Sequence, residues 1–257
     1  MKIDKNTVFF FSNGDRYGLH DNDITDILKD DFSIYCRFKP DMEIIDKIVE
    51  EKGVYNGALF AKNGKHLGLF FNAYVGTSGE VHKKITWQYW SYDVETEKEV
   101  EKNISFAFFT CENDNEDRYF NIIINHNLKK KEFTMIEAVS EKYTSIIYDN
   151  IISYSDSYTW IGAATLIAET HQSVFEGDID KIHIQRSEID LQYANEFFSD
   201  YPSFLEKIYG YGTSLKNVFS SDFTHRTYYK LMDQSGNGFH PVIFKPEWRE
   251  NGKYEKT

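Results

Sequence analysis

Trp87, Tyr89, Trp90 and Tyr92 crowd into the run from Ile85 to Tyr92. Indole and phenol rings combine a flat apolar face with a polar tip, the pairing that stacks on a sugar ring and bonds its hydroxyls. If the run is a strand, alternation puts Trp87 and Tyr89 on one face and Trp90 and Tyr92 on the other. Two arrangements then compete. Either one pair fills the core while the other is exposed beside Gln88 and Asp93, or both pairs pack on neighbouring strands and loops. All four aromatics are the candidate ligand-binding residues.

Other reactive groupings are thin. Eight histidines are scattered without an H-E-x-x-H or H-x-x-E-H run, and no G-x-S-x-G elbow occurs. His171, beside Glu169 and Gln172, reads as polar surface. Gly236-Asn237-Gly238 has neither the lysine nor the following helix of a phosphate cradle. Cys36 and Cys111 lie in apolar strand-like runs and read as small core residues rather than a disulfide framework or a metal site. These observations place a binding module ahead of an enzyme.

The elements that must position the aromatic run are strands. Phe32 to Pro40 alternates at period two, with Phe32, Ile34, Cys36 and Phe38 on one face and Pro40 ending it. Thr7 to Phe11 and Arg16 to His20 flank the turn Asn13-Gly14-Asp15 as a hairpin. Gly57 to Lys62 and Leu67 to Asn72 flank Asn63-Gly64-Lys65. Ile104 to Cys111 is expected to pair with Arg118 to Asn125 across the polar loop Glu112 to Asp117. Phe133 to Val139 and Ser145 to Ser153 are further strands. Asp21 to Asp31 is partly helical in pattern, with Ile24, Ile27 and Leu28 on one face, and Asp41 to Tyr55 reads as a variable acidic segment. Tyr158 to Gly162 and Val174 to Ile184 read as the last pair of half-buried strands, with Gly177 marking a close approach or a bulge.

That last pair resembles the closing strands of the laminin-G-like, concanavalin-A-like jelly rolls. The family pattern is a strand with I-G, a polar loop, then F-x-G-x-I-D-x-[VI]-x-I, carried here by Trp160, Ile161, Gly162, Phe175, Gly177, Ile179, Asp180, Ile182 and Ile184. Phe32 to Pro40 is similar to the family's F-T-I-S-A-W-x-K-P strand. The resemblance runs from Thr7 to Phe198, with Asn125-His126-Asn127 where the family has a Y-V-N-G-K turn. It implies an all-β fold, a two-sheet antiparallel β-sandwich of the concanavalin-A-like jelly-roll type over residues 1–200. A short helix after the closing strand, Glu188 to Phe198, follows from Ile189, Leu191, Ala194 and Phe198 sharing a face. Residues 201–257 form a C-terminal extension. Within it, Thr227 to His240 resembles the family's first strand and turn, Y-x-F-D-x-S-G-N-G-x-H, either as a strand Tyr228 to Met232 returning to the edge beside Thr7 to Phe11 or as the start of a second module.

The family also frames two chemical expectations. Laminarinase-type glucanases on this scaffold carry E-x-D-x-E, which aims a nucleophile and an acid/base into the cleft. Glu112-Asn113-Asp114-Asn115-Glu116 has that spacing, but its intervening asparagines give no apolar seat on the core, so it reads as a hairpin loop. In several related jelly rolls an oxygen cage ties the N-terminal turn to the closing strand. By that resemblance Asn13, Asp15, Asp178 and Asp180 are the candidate ligands of a calcium ion. The bland reading is that Asp178 and Asp180 border solvent and Asp15 stabilises its own turn.

A net charge of −12 argues against nucleic acid or an anionic membrane as the main partner. Aromatics at 17%, with 21 Phe and 18 Tyr, suit sheet faces and sugar-stacking surfaces equally. The run Val8 to Phe11 is too short for a signal-peptide core, and nothing approaches a membrane span, so a cytoplasmic or virion setting is expected, or an extracellular one if a leader has been removed. The sequence therefore predicts a non-catalytic recognition module, a lectin-like domain whose partner is a glycan or surface polysaccharide. The alternative is a structural or assembly protein, such as a virion component, with a homo-oligomer or partner protein in place of the glycan.

Overall fold

Alternation in the sequence becomes alternation in burial. In the computed structural model, Phe32, Ile34, Cys36 and Phe38 are fully buried on one face of a strand spanning Phe32–Pro40. The structure describes residues 7–11, 16–19, 29–62, 67–108, 118–137, 142–148, 151–152, 159–164, 173–188, 217–222, 242–244, 247–250 and 253–254.

These residues form nineteen strands and one helix: β1 (Thr7–Phe11), β2 (Arg16–Leu19), β3 (Phe32–Pro40), α1 (Met42–Lys52), β4 (Val54–Lys62), β5 (Leu67–Val75), β6 (Val81–Asp93), β7 (Lys98–Phe108), β8 (Phe120–Asn127), β9 (Glu132–Glu137), β10 (Lys142–Ile147), β11 (Ile151–Ile152), β12 (Thr159–Ile161), β13 (Ala163–Ala164), β14 (Ser173–Val174), β15 (Gly177–Gln185), β16 (Asn217–Asp222), β17 (Val242–Phe244), β18 (Glu247–Glu250) and β19 (Lys253–Tyr254). The first sheet runs β10-β9-β8-β3-β15-β1-β18-β19, with β16 on β15. The second runs β11-β6-β5-β4-β12-β2-β17, with β7 on β6 and β13 and β14 beside β4. Inward side chains of both sheets, among them Phe38, Phe71, Ile85, Trp87, Phe133 and Ile182, make one core. This is the two-sheet antiparallel sandwich expected.

Several expectations are corrected. The acidic segment after Asp41 is helical: the Asp41 carboxylate accepts from the Ile44 N–H at 3.2 Å as N-cap, and Ile45 and Val49 bury the inner stripe. Gly53 ends the helix at φ 76, where a side chain would be strained. Among the described residues, 118–125 do not pair with 104–108. β7 lies on β6 in the second sheet, whereas β8 lies between β3 and β9 in the first, so the chain changes sheets between them. Asn125 to Asn127 is not a turn either. β8 runs through Asn127, and the reversal falls at Leu128–Lys131, with the Asn127 side-chain oxygen accepting from the Lys130 N–H at 2.8 Å. The edge beside β1 is taken by residues 247–250, with Val8 opposite Arg249 and Phe9 opposite Trp248. Tyr228 to Met232, the turn at 236–238 and the helix expected at 188–198 lie outside the described residues, apart from Glu188 itself.

The closing strand crosses from the second sheet to the first at Val174–Gly177, and several of its backbone groups find partners there. The Phe175 N–H donates to the Gly162 carbonyl at 2.8 Å, and the Asp41 N–H donates to the Glu176 carbonyl at 2.9 Å. The Tyr55 hydroxyl accepts from the Glu176 N–H at 2.7 Å and donates to the Val174 carbonyl at 3.0 Å. Burial pushes the Tyr55 phenol well above its usual range, so it remains a donor. Gly177 sits at φ 146, and a Cβ there would collide with the Lys39 carbonyl. The close approach expected at Gly177 is therefore a contact with β3, and the ladder irregularity falls two residues later, between Ile179 and Lys181.

Two substitutions grade this crossover. Tyr55→Phe leaves two buried backbone groups without partners and costs about 1–3 kcal/mol. Gly177→Ala combines collision with backbone strain and costs more than about 3 kcal/mol. Denaturant midpoints check the order; a Gly177→Ala chain as stable as wild type would show that β3 and β15 separate freely.

Candidate functional site

Strand β6 carries the aromatic run, and burial separates its two faces. Trp87 is 0% exposed and Tyr89 1%, both within the core, whereas Trp90 is half-buried and Tyr92 is 39% exposed. Trp87 and Tyr89 are thereby withdrawn from the candidate surface, because the pleat aims them at the opposite sheet. Trp90 and Tyr92 are the pair that solvent reaches. Asp93 is also committed elsewhere: its carboxylate accepts from the backbone N–H of Glu95 at 2.9 Å and of Thr96 at 3.3 Å, closing the hairpin into β7. Those bonds, led by the one from Thr96, hold its carboxyl below the usual range.

Cross-strand register assembles neighbours that are distant in sequence. On the outer face of the second sheet Trp90 stands opposite Glu101, Tyr92 opposite Glu99, Gln88 opposite Asn103, and Thr86 opposite Ser105. Directly opposed side chains have Cβ atoms about 4.5–5.5 Å apart. The row through Gln88 continues across Gly68 and Ala61 to Trp160 on β12, three strand spacings or about 14 Å away. Phe70 lies over Gly68, where a Cβ would meet its ring at 2.6 Å, and joins Ala58, Ala61 and Ala164 in a small buried cluster. Asn72 donates to the Thr86 hydroxyl at 2.9 Å. Glu99, Glu101, Asn103 and Ser105 are exposed on β7. The described part of this face thus offers a polar shelf along β7 beside Trp90 and Tyr92, while Gln88, Thr86 and the apolar cluster toward half-buried Trp160 are buried. Trp160, Asn103 and Ser105 were missed as site residues. The polar alternation Glu99-Glu101-Asn103-Ser105 in β7 was the signal that could have found the latter two.

Beneath the shelf, Trp87 and Tyr89 rest on a ring cluster. Phe133 lies 5.7 Å from Trp87 and 4.8 Å from Tyr89, and His126 stacks on Phe133 at 4.6 Å and on Tyr148 at 5.8 Å. His126 is fully buried. Its Nδ1 lies 2.6 Å from the Asp30 carbonyl and its Nε2 2.7 Å from the Tyr148 hydroxyl. A carbonyl only accepts, so Nδ1 carries the proton and Tyr148 donates to Nε2. Burial holds the imidazole below its usual pKa despite the nearby Asp30 and Asp31, and burial pushes the Tyr148 phenol up to about 12.

The calcium candidates are only partly within the described residues. Asn13 and Asp15 lie outside them, as does the Asp180 side chain. Asp178 is buried on the outer face of the first sheet, opposite Lys39 and Phe10. β1 ends at Phe11 opposite Gly177. Among the described residues no group of three or more His, Cys, Asp or Glu side chains could hold a metal ion. Glu112 to Glu116, Cys111 and His171 also lie outside the described residues, while Cys36 is buried and not disulfide-bonded.

The sequence matches no family model and no curated protein. Solved structures do match. A Bacteroides ovatus protein inferred to bind carbohydrate aligns at a TM-score of 0.54 and 8% identity, over 99% of this chain and 62% of its own. The Ruminococcus gnavus IT-sialidase CBM40 aligns at a TM-score of 0.47 and 12% identity, over 74% of this chain and 96% of its own. The tailspike protein 2 of bacteriophage CBA120 aligns at 0.44 and 8%, over 77% of this chain and 27% of its own. The Bacteroides ovatus likeness supports the sandwich fold over nearly the whole length.

His126 makes stability pH-dependent with a definite sign. Its folded pKa lies below the unfolded value, so its contribution is complete above about pH 6.5 and is lost as pH falls through the folded pKa, the unfolded chain taking the proton first. Tyr148 acts oppositely, its contribution falling as pH rises from about 10 toward the folded value of about 12. Urea midpoints should fall between about pH 7.5 and pH 5, less steeply in His126→Gln than in wild type; parallel slopes would contradict the assignment.

Proposed function

We propose that this chain is a non-catalytic carbohydrate-recognition module that binds a glycan or surface polysaccharide on the outer face of its second sheet. The observation that carries the reading is the meeting, on one sheet face, of half-buried Trp90 and exposed Tyr92 with the exposed amide of Asn103 and the exposed hydroxyl of Ser105, backed by the buried Gln88 and Thr86. Aromatic faces stack on the apolar side of a sugar ring while amides and hydroxyls exchange hydrogen bonds with its hydroxyl groups. Strands supply these groups, so little ordering is required on binding. The fold likeness to a Bacteroides ovatus protein inferred to bind carbohydrate supports the same reading.

A glycan array followed by calorimetry tests it. Trp90→Ala or Tyr92→Ala should weaken binding by about tenfold or more, since truncating an aromatic anchor typically removes upward of 1–2 kcal/mol. Unchanged affinity in both variants would remove this face as the site. A structural or assembly role instead predicts a discrete oligomer by solution mass and an array without hits.

Calcium bridging the N-terminal turn and the closing strand through Asn13, Asp15, Asp178 and Asp180 is part of the proposal. Its support is the family resemblance and the ending of β1 beside Gly177. Calcium at about a hundred times its Kd should stabilise the fold by about 2.7 kcal/mol. EDTA-treated protein that binds no ion by calorimetry and melts unchanged in calcium would end this part of the reading.

A further inference from the structure

The structure assigns this face to an internal run of an extended polysaccharide rather than to a single chain-end sugar, with Tyr74 as a second aromatic contact about 26 Å along β6 from Trp90. The inference rests on the glycan reading above and names the ligand class of the same site. β5 and β6 pair from Leu67 opposite Tyr89 to Val75 opposite Val81 without a register shift, so the even-numbered residues of β6 from His82 to Tyr92 share the outer face. Tyr74 stands opposite His82 on that face and is 37% exposed. Trp90 lies eight residues beyond His82, at about 3.3 Å for each.

The ground between the two aromatic ends is continuous. Asn103 and Ser105, both exposed on β7, carry the outer row past the buried Gln88 and Thr86. Lys84 follows as the diagonal neighbour of Ser105 and stands directly opposite Asn72. Its amine lies 5.4 Å from the centre of the Tyr74 ring, and the His82 ring lies 5.3 Å from it, so two neighbours hold that ring in place at the surface. At both ends the face runs out to exposed hairpin turns, residues 94–98 beyond Tyr92 and residues 77–80 beyond Tyr74. A pocket for a chain-end sugar encloses it, whereas this face lets a chain enter at one turn and leave at the other. Because β6 is hydrogen-bonded to β5 on one side and β7 on the other, the spacing of the two contacts is fixed. A polymer stacked on Trp90 then presents its further units to Tyr74 at high effective concentration, so two weak contacts combine. Along the way the Asn103 amide, the Ser105 hydroxyl and the Lys84 amine meet the sugar hydroxyls.

A glycan array carrying size-graded oligosaccharides, disaccharide to decasaccharide, of glucans, chitin, xylan and bacterial surface polysaccharides tests the assignment, with calorimetry on the series that binds. Affinity should climb about tenfold or more from the shortest member that binds to the first that reaches Tyr74, and then level off. Tyr74→Ala should remove most of that gain while leaving the shortest members and the melting temperature unchanged, whereas Trp90→Ala should weaken every length. Members capped at the non-reducing end should bind as tightly as uncapped ones. Affinity that is independent of length, or lost on capping, with Trp90→Ala still abolishing it, would overturn this inference and leave the glycan reading standing. A length dependence unmoved by Tyr74→Ala would also overturn it. An array on which nothing binds would overturn the glycan reading, and this inference with it.

Discussion

The sandwich depends on one passage of backbone, the crossing of the closing strand from the second sheet to the first. β15 lies between β3 on one side and β1 and β16 on the other, so its register sets the register of the first sheet. That register is tightly specified because a slip by one residue would turn Ile182 and Ile184 out of the core. Gly177 permits the approach to β3, and the Tyr55 hydroxyl ties the crossover to β4. Phe175, fully buried, meets Phe38 edge-on at 5.6 Å and joins the two sheets through the core. A buried backbone turn without such partners would leave polar groups unpaired at a cost comparable to a lost hydrogen bond for each.

With the sheets locked in this way, β6 serves two faces at once. Its inward rings are held by Phe133, Tyr148 and a neutral His126, so the outward groups stand on a support that cannot easily rearrange. Preorganisation of this kind favours binding because little side-chain or backbone freedom remains to be lost. The tautomer of His126 follows from its two partners, and its hydrogen bonds fasten the segment at Asp30 and the end of β10 to the same cluster.

Local patterns were legible in the sequence where a single strand decided the outcome. Period-two alternation in Phe32 to Pro40 and in Ile85 to Tyr92 is a property of the strand itself, and Gly177 announced a close approach. Pairings between distant segments were less accessible. Residues 104–111 and 118–125 look like a hairpin because they are adjacent and separated by a polar loop, yet β7 pairs with β6 and β8 with β3 and β9. Helix α1 was overlooked because acidic residues obscured the spacing of Ile45, Ile48 and Val49, although Asp41 and Gly53 bracket it as caps. The site divides in the same manner: Trp90 and Tyr92 were named from one strand, whereas Trp160, Asn103 and Ser105 enter through register across several strands, which no local pattern encodes.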